Sequence, residues 1–303
     1  MDAQLFRAGS LRAAGYTYYD VRRMLRDGTL NAVRRGTYLL GEPPDDSAAR
    51  HRLAVRAAAR ELDADAIVSH VSAIVWYGLP TWSIPLNRVH VTRSRACGGR
   101  RSRHVHVHAA TLDPAEIAVV DGVLVTSPAR AVVDVARTVP FEQAVVVVDA
   151  ALAIGLVDAG ELTKVLERLA RRRGVPMARR ALAFGDARAE SVGESRSRVA
   201  LLRAGLPVPE LQHEVRDPAG RLIGRVDFAW PDHGVLGEFD GKIKYGRVPS
   251  PGRSPGDVVF EEKVREDKLR GEGWEMVRWT WHDLAAFDQV TARWWRAADR
   301  RQS

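Results

Sequence analysis

Three carboxylates and a lysine lie close together in the last third of the chain. Asp227 lies inside a short apolar segment. Glu238 and Asp240 end a second apolar segment, and Lys242 follows two residues later. Carboxylates that converge on one point are costly unless they are ion-paired or bind a metal. Because Mg²⁺ prefers oxygen ligands, these residue types predict a site for a hard cation.

A β-hairpin would bring these side chains together. Residues 226–230 and 235–239 are two apolar runs, and the Pro-Asp-His-Gly connector between them is rich in turn-forming residues. Side chains alternate across a strand, so Glu238, Asp240 and Lys242 share one face if the second strand extends that far. The simpler alternatives are that Asp-Gly forms a turn and that the lysine forms a solvated ion pair.

A helix predicted over residues 189–204 adds two more acids. Glu190 and Glu194 are four residues apart and therefore share a helix face. Arg198 lies one turn further along, so a surface ion pair between Glu194 and Arg198 is an alternative to a role in the site.

Together these segments resemble the PD-(D/E)xK nuclease superfamily, in particular its DUF559 branch, which is similar to the very-short-patch-repair endonucleases. The resemblance begins at ESVGESRSRVALLRAGLPVPELQHEV, continues through RVDFAWPDHGVLGEFDG and closes with EEKVREDKLRGEGWEMVRWTWHDL. It implies a restriction-endonuclease-like domain over residues 189–303 with a central mixed sheet. It also implies hydrolysis of DNA phosphodiester bonds with Mg²⁺ or Mn²⁺ as the cofactor.

The resemblance assigns a role to each acid. Asp227 and Glu238 match the two motif acids and are implied metal ligands. Glu194, with Glu190 as second choice, matches the helical glutamate that reaches the metal. Asp240 stands where the superfamily has a lysine, which leaves two registers open.

In the first register the lysine is displaced to Lys242. In the second, Asp240-Gly241-Lys242 is the motif and Glu238 is an additional ligand, so that Asp240 also binds the metal. In both registers Lys242 orients the attacking water or stabilises the phosphate, and Lys244 can contact the DNA backbone.

Residues 1–42 have the pattern of a winged helix. Thr17 is a suitable N-cap for a helix over residues 18–26, and residues 30–40 alternate like two strands around Arg35-Gly36. A helix is also predicted over residues 5–14. The basic side chains of this block are suited to contact DNA phosphates, namely Arg22, Arg23 and Arg26 on the second helix and Arg34 and Arg35 on the wing. The block resembles the N-terminal domain of AbiEi-type antitoxins, whose family role implies DNA binding and repression.

Residues 48–170 are predicted to form an α/β middle domain, which resembles the middle region of AbiEi-like proteins from residue 69 onward. The Arg-rich run that follows predicts a basic linker over residues 171–188. The predicted fold class is therefore α+β, with a winged helix, an α/β middle region and a restriction-endonuclease-like domain.

Alternating histidines raise the possibility of a second metal site. His104, His106 and His108 would line one strand face, with His90 as a possible partner from a neighbouring strand. An exposed strand face is the simpler interpretation, because a zinc site also needs a fourth ligand and supporting hydrogen bonds. The single cysteine, Cys97, excludes an internal disulfide and a thiolate zinc cluster.

The charge distribution favours a polyanionic partner for the front of the chain. The 303 residues carry 46 Lys and Arg against 38 Asp and Glu, a net charge of +8, and residues 221–303 hold only 15 basic and 14 acidic residues of these. The longest apolar tract, over residues 141–157, is too short and polar to span a membrane, and no signal peptide is recognisable. We therefore expect a cytoplasmic protein.

Two functions are compatible with these patterns. The first is a metal-dependent DNA endonuclease or nickase in repair or defence, with the front half supplying DNA affinity; RNA as the substrate stays open as a third possibility, because acidic metal sites hydrolyse either backbone. The second is a non-catalytic DNA-binding transcriptional regulator or type IV antitoxin-like protein. DNA is the expected partner in both, a membrane is not, and a toxin or repair partner stays open.

Overall fold

The structure is a computed structural model that describes residues 4–61, 63, 65–94, 98–241 and 255–302. The chain divides into two compact units, Met1–Phe184 and Gly185–Ser303. Both combine helices with mixed or antiparallel sheets, which confirms the predicted α+β class. Within the described residues, no helix is long and apolar enough to cross a membrane.

The first unit begins with a small three-stranded sheet and two helices. Its elements are β1 (Leu5–Arg7), α1 (Ala8–Ala13), α2 (Tyr18–Arg26), β2 (Leu30–Arg34) and β3 (Thr37–Leu40). The sheet order is β1-β3-β2, with antiparallel pairs. The order of helix, helix and hairpin is that of the predicted winged helix. Residues 5–7 are a strand, not the predicted start of a helix, because they pair with β3.

Local chemistry fixes the start of α2 at the predicted residue. The Thr17 hydroxyl accepts a hydrogen bond from the Asp20 amide, and the Asp20 carboxylate accepts one from the Thr17 amide. This reciprocal capping box satisfies two amides that the helix leaves without partners. The prediction that Thr17 caps this helix is confirmed.

A six-stranded sheet surrounded by helices forms the rest of the first unit. Its elements are α3 (Ser47–Ala59), β4 (Ala66–Val68), α4 (His70–Trp76), β5 (Val89–Ser94), β6 (Arg100–Arg101), β7 (Val105–Ala110), β8 (Ile117–Val120), β9 (Val123–Thr126), α5 (Pro128–Ala136), α6 (Phe141–Ala153), α7 (Ala159–Arg168) and α8 (Val175–Phe184). The sheet order is β6-β7-β5-β4-β9-β8. Strands β5 and β7 pair in parallel, as do β4 and β9. Every residue of α4 and nearly every residue of α5 is buried.

The segment predicted as a basic linker contains a packed helix. In α8, Val175, Ala178 and Ala181 recur every three residues and are buried, while the arginines between them face outward. The Arg180 guanidinium lies 4.4 Å from the centre of the Phe141 ring of α6. Because the segment is rich in arginine, this apolar stripe was not recognised in the sequence. Residues 171–188 are therefore not a linker throughout, and the first unit continues to Phe184.

The second unit places helices on both faces of a four-stranded sheet. Its elements are α9 (Val192–Arg203), β10 (Glu210–Arg216), β11 (Leu222–Trp230), β12 (Val235–Asp240), α10 (Pro255–Gly271), β13 (Glu275–Thr280) and α11 (Asp288–Gln302). The sheet order is β10-β11-β12-β13. The first three strands are antiparallel neighbours, and β13 pairs in parallel with β12 after the crossover through α10. The predicted hairpin is confirmed in β11 and β12.

Two apolar cores cover the two faces of this sheet. One joins Phe228, Val235 and Trp279 to Leu201 of α9 and Trp294 of α11. The other, on the opposite face, includes Val226, Leu236 and Leu269 of α10.

Gly193 allows α9 to approach β12 closely. A Cβ atom at this position would lie 1.9 Å from Cε1 of Phe239, which is far inside van der Waals contact. We expect Gly193→Ala to lower the free energy of unfolding of the second unit by about 1–3 kcal/mol, because the ring or the helix has to move.

Urea denaturation followed by tryptophan fluorescence measures this, since six of the eight tryptophans lie in the second unit. Gly271→Ala is the matched control, because nothing lies within 4 Å of its added Cβ. Equal losses in both variants would contradict the expected steric cause.

Candidate functional site

Asp227 occupies the point where the pairing of β11 with β12 ends. The recorded pairs run from Trp230 with Val235 to Phe228 with Gly237. Asp227 precedes Phe228 in β11, and its Oδ2 atom accepts a hydrogen bond of 2.8 Å from the Phe239 amide of β12. A side chain thus takes the place of a backbone acceptor, which fixes the carboxylate between the two strands.

The surroundings of Asp227 disfavour its charge. Burial raises the pKa of Asp227, the hydrogen bond from Phe239 lowers it, and the charges of Glu194, Glu238 and Glu190 raise it, to about 6 in all. Three predicted acids therefore act on this carboxylate electrostatically. Such perturbation is typical of functional sites, although structural clusters also produce it.

Glu194 is held in the first turn of α9. Its carboxylate accepts hydrogen bonds from the Ser191 hydroxyl at 2.7 Å, the Glu190 amide at 2.9 Å and the Gln212 side-chain amide at 2.8 Å. The Ser191 hydroxyl in turn caps the Glu194 amide. The alternative of an ion pair between Glu194 and Arg198 is not among these contacts, and hydrogen bonds near the start of α9 hold the buried carboxylate.

The side chain of Glu190 pairs with an arginine. Its two oxygens each accept a hydrogen bond of 2.9 Å from the guanidinium of Arg225, and both side chains are about half exposed. Glu190 precedes α9 and is exposed, so the helix is shorter than predicted at its start, whereas Glu194 lies in its first turn and is buried.

Glu238 is bound by two arginines. Arg265 of α10 donates to one carboxylate oxygen, and Arg278 donates through Nε to the other at 2.9 Å. Glu238 and Arg278 are paired residues of the parallel strands β12 and β13. Arg278 also reaches Glu266 at 2.9 Å, so Glu238 belongs to a chain of ion pairs that the sequence analysis missed.

The remaining predicted residues lie at the edge of the described region. Asp240 is the last residue of β12 and is exposed. Lys242 and Lys244 lie outside the described residues, so the register of the D/E-x-K motif stays open.

The described acidic side chains do not form a compact ligand set for Mg²⁺. In the described part of the chain, the only three potential metal ligands whose donor atoms lie within 4.8 Å of one another are His90, His106 and His108. Asp227, Glu238 and Asp240 are not such a set, and both oxygens of Glu238 are engaged by arginines. As placed, these side chains do not fit a bound Mg²⁺ ion.

A second candidate surface is the exposed side of α2. Arg22, Arg23 and Arg26 are exposed as predicted, and no side chain of α2 is fully buried. Two tyrosines that the sequence analysis did not single out extend this surface: Tyr18 is 69% exposed and Tyr19 is 81% exposed. An exposed helix with arginines and aromatic rings is suited to contact a nucleic acid backbone and bases.

The two wing arginines differ from each other. Arg35 lies in the turn between β2 and β3 and is exposed. Arg34 points the other way, and its guanidinium is 3.1 Å from the Glu61 carboxylate, which also accepts a hydrogen bond from the Thr37 hydroxyl. Arg34 therefore ties the hairpin to the residues after α3, and its contact with DNA stays a prediction.

The histidines form a cluster whose membership differs from the prediction. His104 precedes β7 and is exposed, while His70 at the start of α4 joins His90, His106 and His108. The sequence analysis missed His70 because it lies on a helix distant in sequence.

Substitution Asp227→Asn tests the electrostatics of the acidic cluster. The pKa of this carboxyl in the folded protein is above its ordinary value of 3.8, so its contribution to stability is complete below pH 3.8 and is lost as the pH rises through 6. Asparagine keeps an acceptor for the Phe239 amide but carries no charge. We expect Asp227→Asn to unfold at higher urea than wild type at pH 7.5, with little difference at pH 4.

The control is Asp232→Asn, which removes an exposed charge from the same hairpin and is expected to change stability by less than about 0.5 kcal/mol. A wild-type protein more stable than Asp227→Asn at pH 7.5 would show that the negative charge is stabilised in the fold.

Comparisons with known proteins find relatives of part of the chain. The chain is 36% identical over 158 residues to the uncharacterized proteins MT2308 and Rv2248 of Mycobacterium tuberculosis, strains CDC 1551 and H37Rv. These matches cover 52% of this chain and 55% of each relative, so the chain spans about half the length of the curated relatives it matches.

Among solved structures, the crystal structure of the RV2827C protein from Mycobacterium tuberculosis aligns with a TM-score of 0.39 and 19% identity, over 71% of this chain and 84% of that chain. Residues 64–184 match the family model of the AbiEi antitoxin C-terminal domain. The resemblance predicted for the middle region is confirmed: this part of the chain is similar to the AbiEi antitoxin C-terminal domain.

Proposed function

We propose that the protein is a DNA-binding regulator of the antitoxin type, in which α2 contacts DNA. The observation that carries the proposal is the exposed surface of α2, with Arg22, Arg23 and Arg26 beside Tyr18 and Tyr19. The similarity of residues 64–184 to an antitoxin domain supports the same class of function.

The chemistry of the α2 surface suits a DNA duplex. Guanidinium groups donate hydrogen bonds to phosphate oxygens, and a helix of this size enters a major groove. The Arg22 guanidinium lies 5.7 Å from the centre of the Tyr18 ring, an arrangement that limits the freedom of the exposed arginine. The net positive charge of the chain lies almost entirely before residue 221, which favours association of this part with a polyanion.

The similarity of residues 64–184 to an antitoxin domain suggests a role for the second part of the first unit. We propose that this domain contributes to the action against a toxin, while the winged helix binds DNA. This division uses both parts of the first unit and requires no catalysis.

Removal of single α2 arginines tests the DNA contact. We expect Arg22→Ala and Arg26→Ala each to weaken binding to a labelled duplex taken from directly upstream of the protein's own reading frame. Each lost phosphate contact lowers the slope of log K against log salt by about 0.9. Fluorescence anisotropy at several salt concentrations measures both quantities.

The matched control is Arg179→Ala, which removes one exposed positive charge from α8. A scrambled duplex of equal length separates specific from general affinity. If both α2 variants bind and respond to salt as Arg179→Ala does, α2 is not the DNA-contacting helix.

We propose phosphodiester hydrolysis by the second unit as a second candidate function. The observation that favours it is Asp227, a partly buried carboxylate between two strands whose pKa is raised to about 6 next to Glu194 and Glu238. The order of one helix, three antiparallel strands, a crossover helix and a parallel strand agrees with the restriction-endonuclease-like domain implied by the sequence.

Hydrolysis by the second unit requires Glu238 to separate from its two arginine partners. Arg265 and Arg278 occupy both oxygens of Glu238, so the carboxylate has to be released before it can bind anything else. Phosphate groups of a nucleic acid compete for guanidinium groups, and arrival of a substrate offers a route to that release.

Plasmid nicking distinguishes the two functions. If the second unit is a nuclease, wild-type protein with Mg²⁺ or Mn²⁺ converts supercoiled plasmid to relaxed or linear DNA, and Asp227→Asn does not. Because Asp227→Asn is expected to fold at least as well as wild type, its inactivity cannot be attributed to unfolding. Equal background from both proteins, with DNA binding retained, would exclude catalysis on duplex DNA and leave the regulator function.

A further inference from the structure

Three histidines converge on one face of the six-stranded sheet. Strands β5 and β7 run in parallel with His90 opposite His106 and Thr92 opposite His108. His106 and His108 are two residues apart and therefore lie on the same face, and His90 contributes from the neighbouring strand. The donor nitrogens of these three side chains lie within 4.8 Å of one another, and His108 Nε2 is 3.2 Å from His90 Nδ1.

We propose that His90, His106 and His108 form a binding site for a divalent transition metal of the zinc type. Three imidazoles with donor atoms this close match a three-histidine ligand set, in which a fourth position is left for water or an anion. Nitrogen ligands without carboxylates favour Zn²⁺, Cu²⁺ or Ni²⁺ over Mg²⁺ or Ca²⁺.

His70 holds the cluster without joining the ligand set. Its ring stacks on His108, with centres 3.6 Å apart and planes inclined by 11°. Both of its nitrogens have other partners, because Nδ1 is 3.1 Å from the Ser69 hydroxyl and Nε2 is 3.3 Å from the Arg137 guanidinium. The stacked ring therefore fixes the orientation of a ligand, as second-shell partners of metal sites do.

A hydrogen bond shows which nitrogen of His106 offers a lone pair. The Arg101 guanidinium, which can only donate, lies 3.1 Å from His106 Nε2 and shows that this nitrogen is an acceptor.

The cluster opens into a pocket with positively charged walls. A cavity of about 370 Å³ is lined by the four histidines together with Arg88 and Arg101. A neighbouring cavity of about 580 Å³ shares His106 and His108 and adds other arginines, namely Arg100, Arg137, Arg172 and Arg173. These charges oppose a bare cation, so an anion is the favoured fourth ligand of the metal.

A metal-free cluster of hydrogen-bonded imidazoles is the competing explanation. The contact between His90 and His108 and the contact between Arg101 and His106 both satisfy ring nitrogens without an ion. A metal site predicts that the protein binds one metal ion per chain at these histidines. A cluster that is only hydrogen-bonded predicts no stoichiometric binding.

Titration of tag-free, chelator-treated protein with Co²⁺ provides the test. We expect saturation at one Co²⁺ per chain, with a visible absorption spectrum of tetrahedral type that one equivalent of Zn²⁺ abolishes. His106→Ala and His90→Ala should weaken Co²⁺ binding by more than about tenfold, the lower limit for loss of a supporting second-shell partner alone. Circular dichroism verifies that each variant is folded.

His104→Ala is the matched control, since it removes an exposed histidine two residues from the site and should bind Co²⁺ as wild type does. Absence of stoichiometric binding by the wild-type protein would overturn the proposal whatever the variants do. Wild-type affinity in His106→Ala would also overturn it, because the ion would then lie elsewhere.

Discussion

A buried arginine connects the main parts of the first unit. Arg130 of α5 is 1% exposed, and its guanidinium binds Glu116 at 2.7 Å and Asp134 at 2.8 Å. Asp134 also binds Arg137, whose guanidinium reaches His70. Loss of one partner from such a network leaves a buried charge that costs about 3–5 kcal/mol. The turn before β8, helix α5 and the histidine cluster therefore depend on one another.

The partly buried carboxylate of Asp227 in the second unit has a different electrostatic environment. In the first unit the acidic side chains around Arg130 each have a guanidinium partner, whereas the Asp227 carboxylate receives an amide hydrogen bond and has three glutamates acting on it. The ion pairs around Arg130 compensate its buried charge, whereas burial and the neighbouring glutamates make ionisation of Asp227 unfavourable. Unfavourable ionisation of this kind is typical of functional sites, and it makes Asp227 a candidate for chemistry.

Local patterns were sufficient to predict much of this fold. Thr17 at the start of α2 and the hairpin of β11 and β12 follow from capping and turn chemistry between residues close in sequence. The same kind of local chemistry fixes the start of α5, where the Ser127 side chain caps the Arg130 amide and Pro128 occupies the first turn.

Contacts between distant residues were not predictable in this way. The parallel register that sets Arg278 beside Glu238 is established by a crossover helix, and no local pattern encodes it. Arg34 was assigned to DNA because its charge was visible and Glu61 was distant in sequence. The candidate sites were therefore predicted as sets of residues, while their electrostatic partners emerged only from the fold.

The absence of fully buried side chains in α2 has a thermodynamic consequence. A helix whose apolar side chains are only half-buried opens locally at a smaller cost in free energy than a core helix does. In the proposed DNA complex, association includes the ordering of this helix, which adds an unfavourable entropy and a negative heat-capacity change to the binding reaction. The proposed affinity of the α2 surface then depends on Thr17 and Asp20, because their capping box favours the ordered helix before any contact forms.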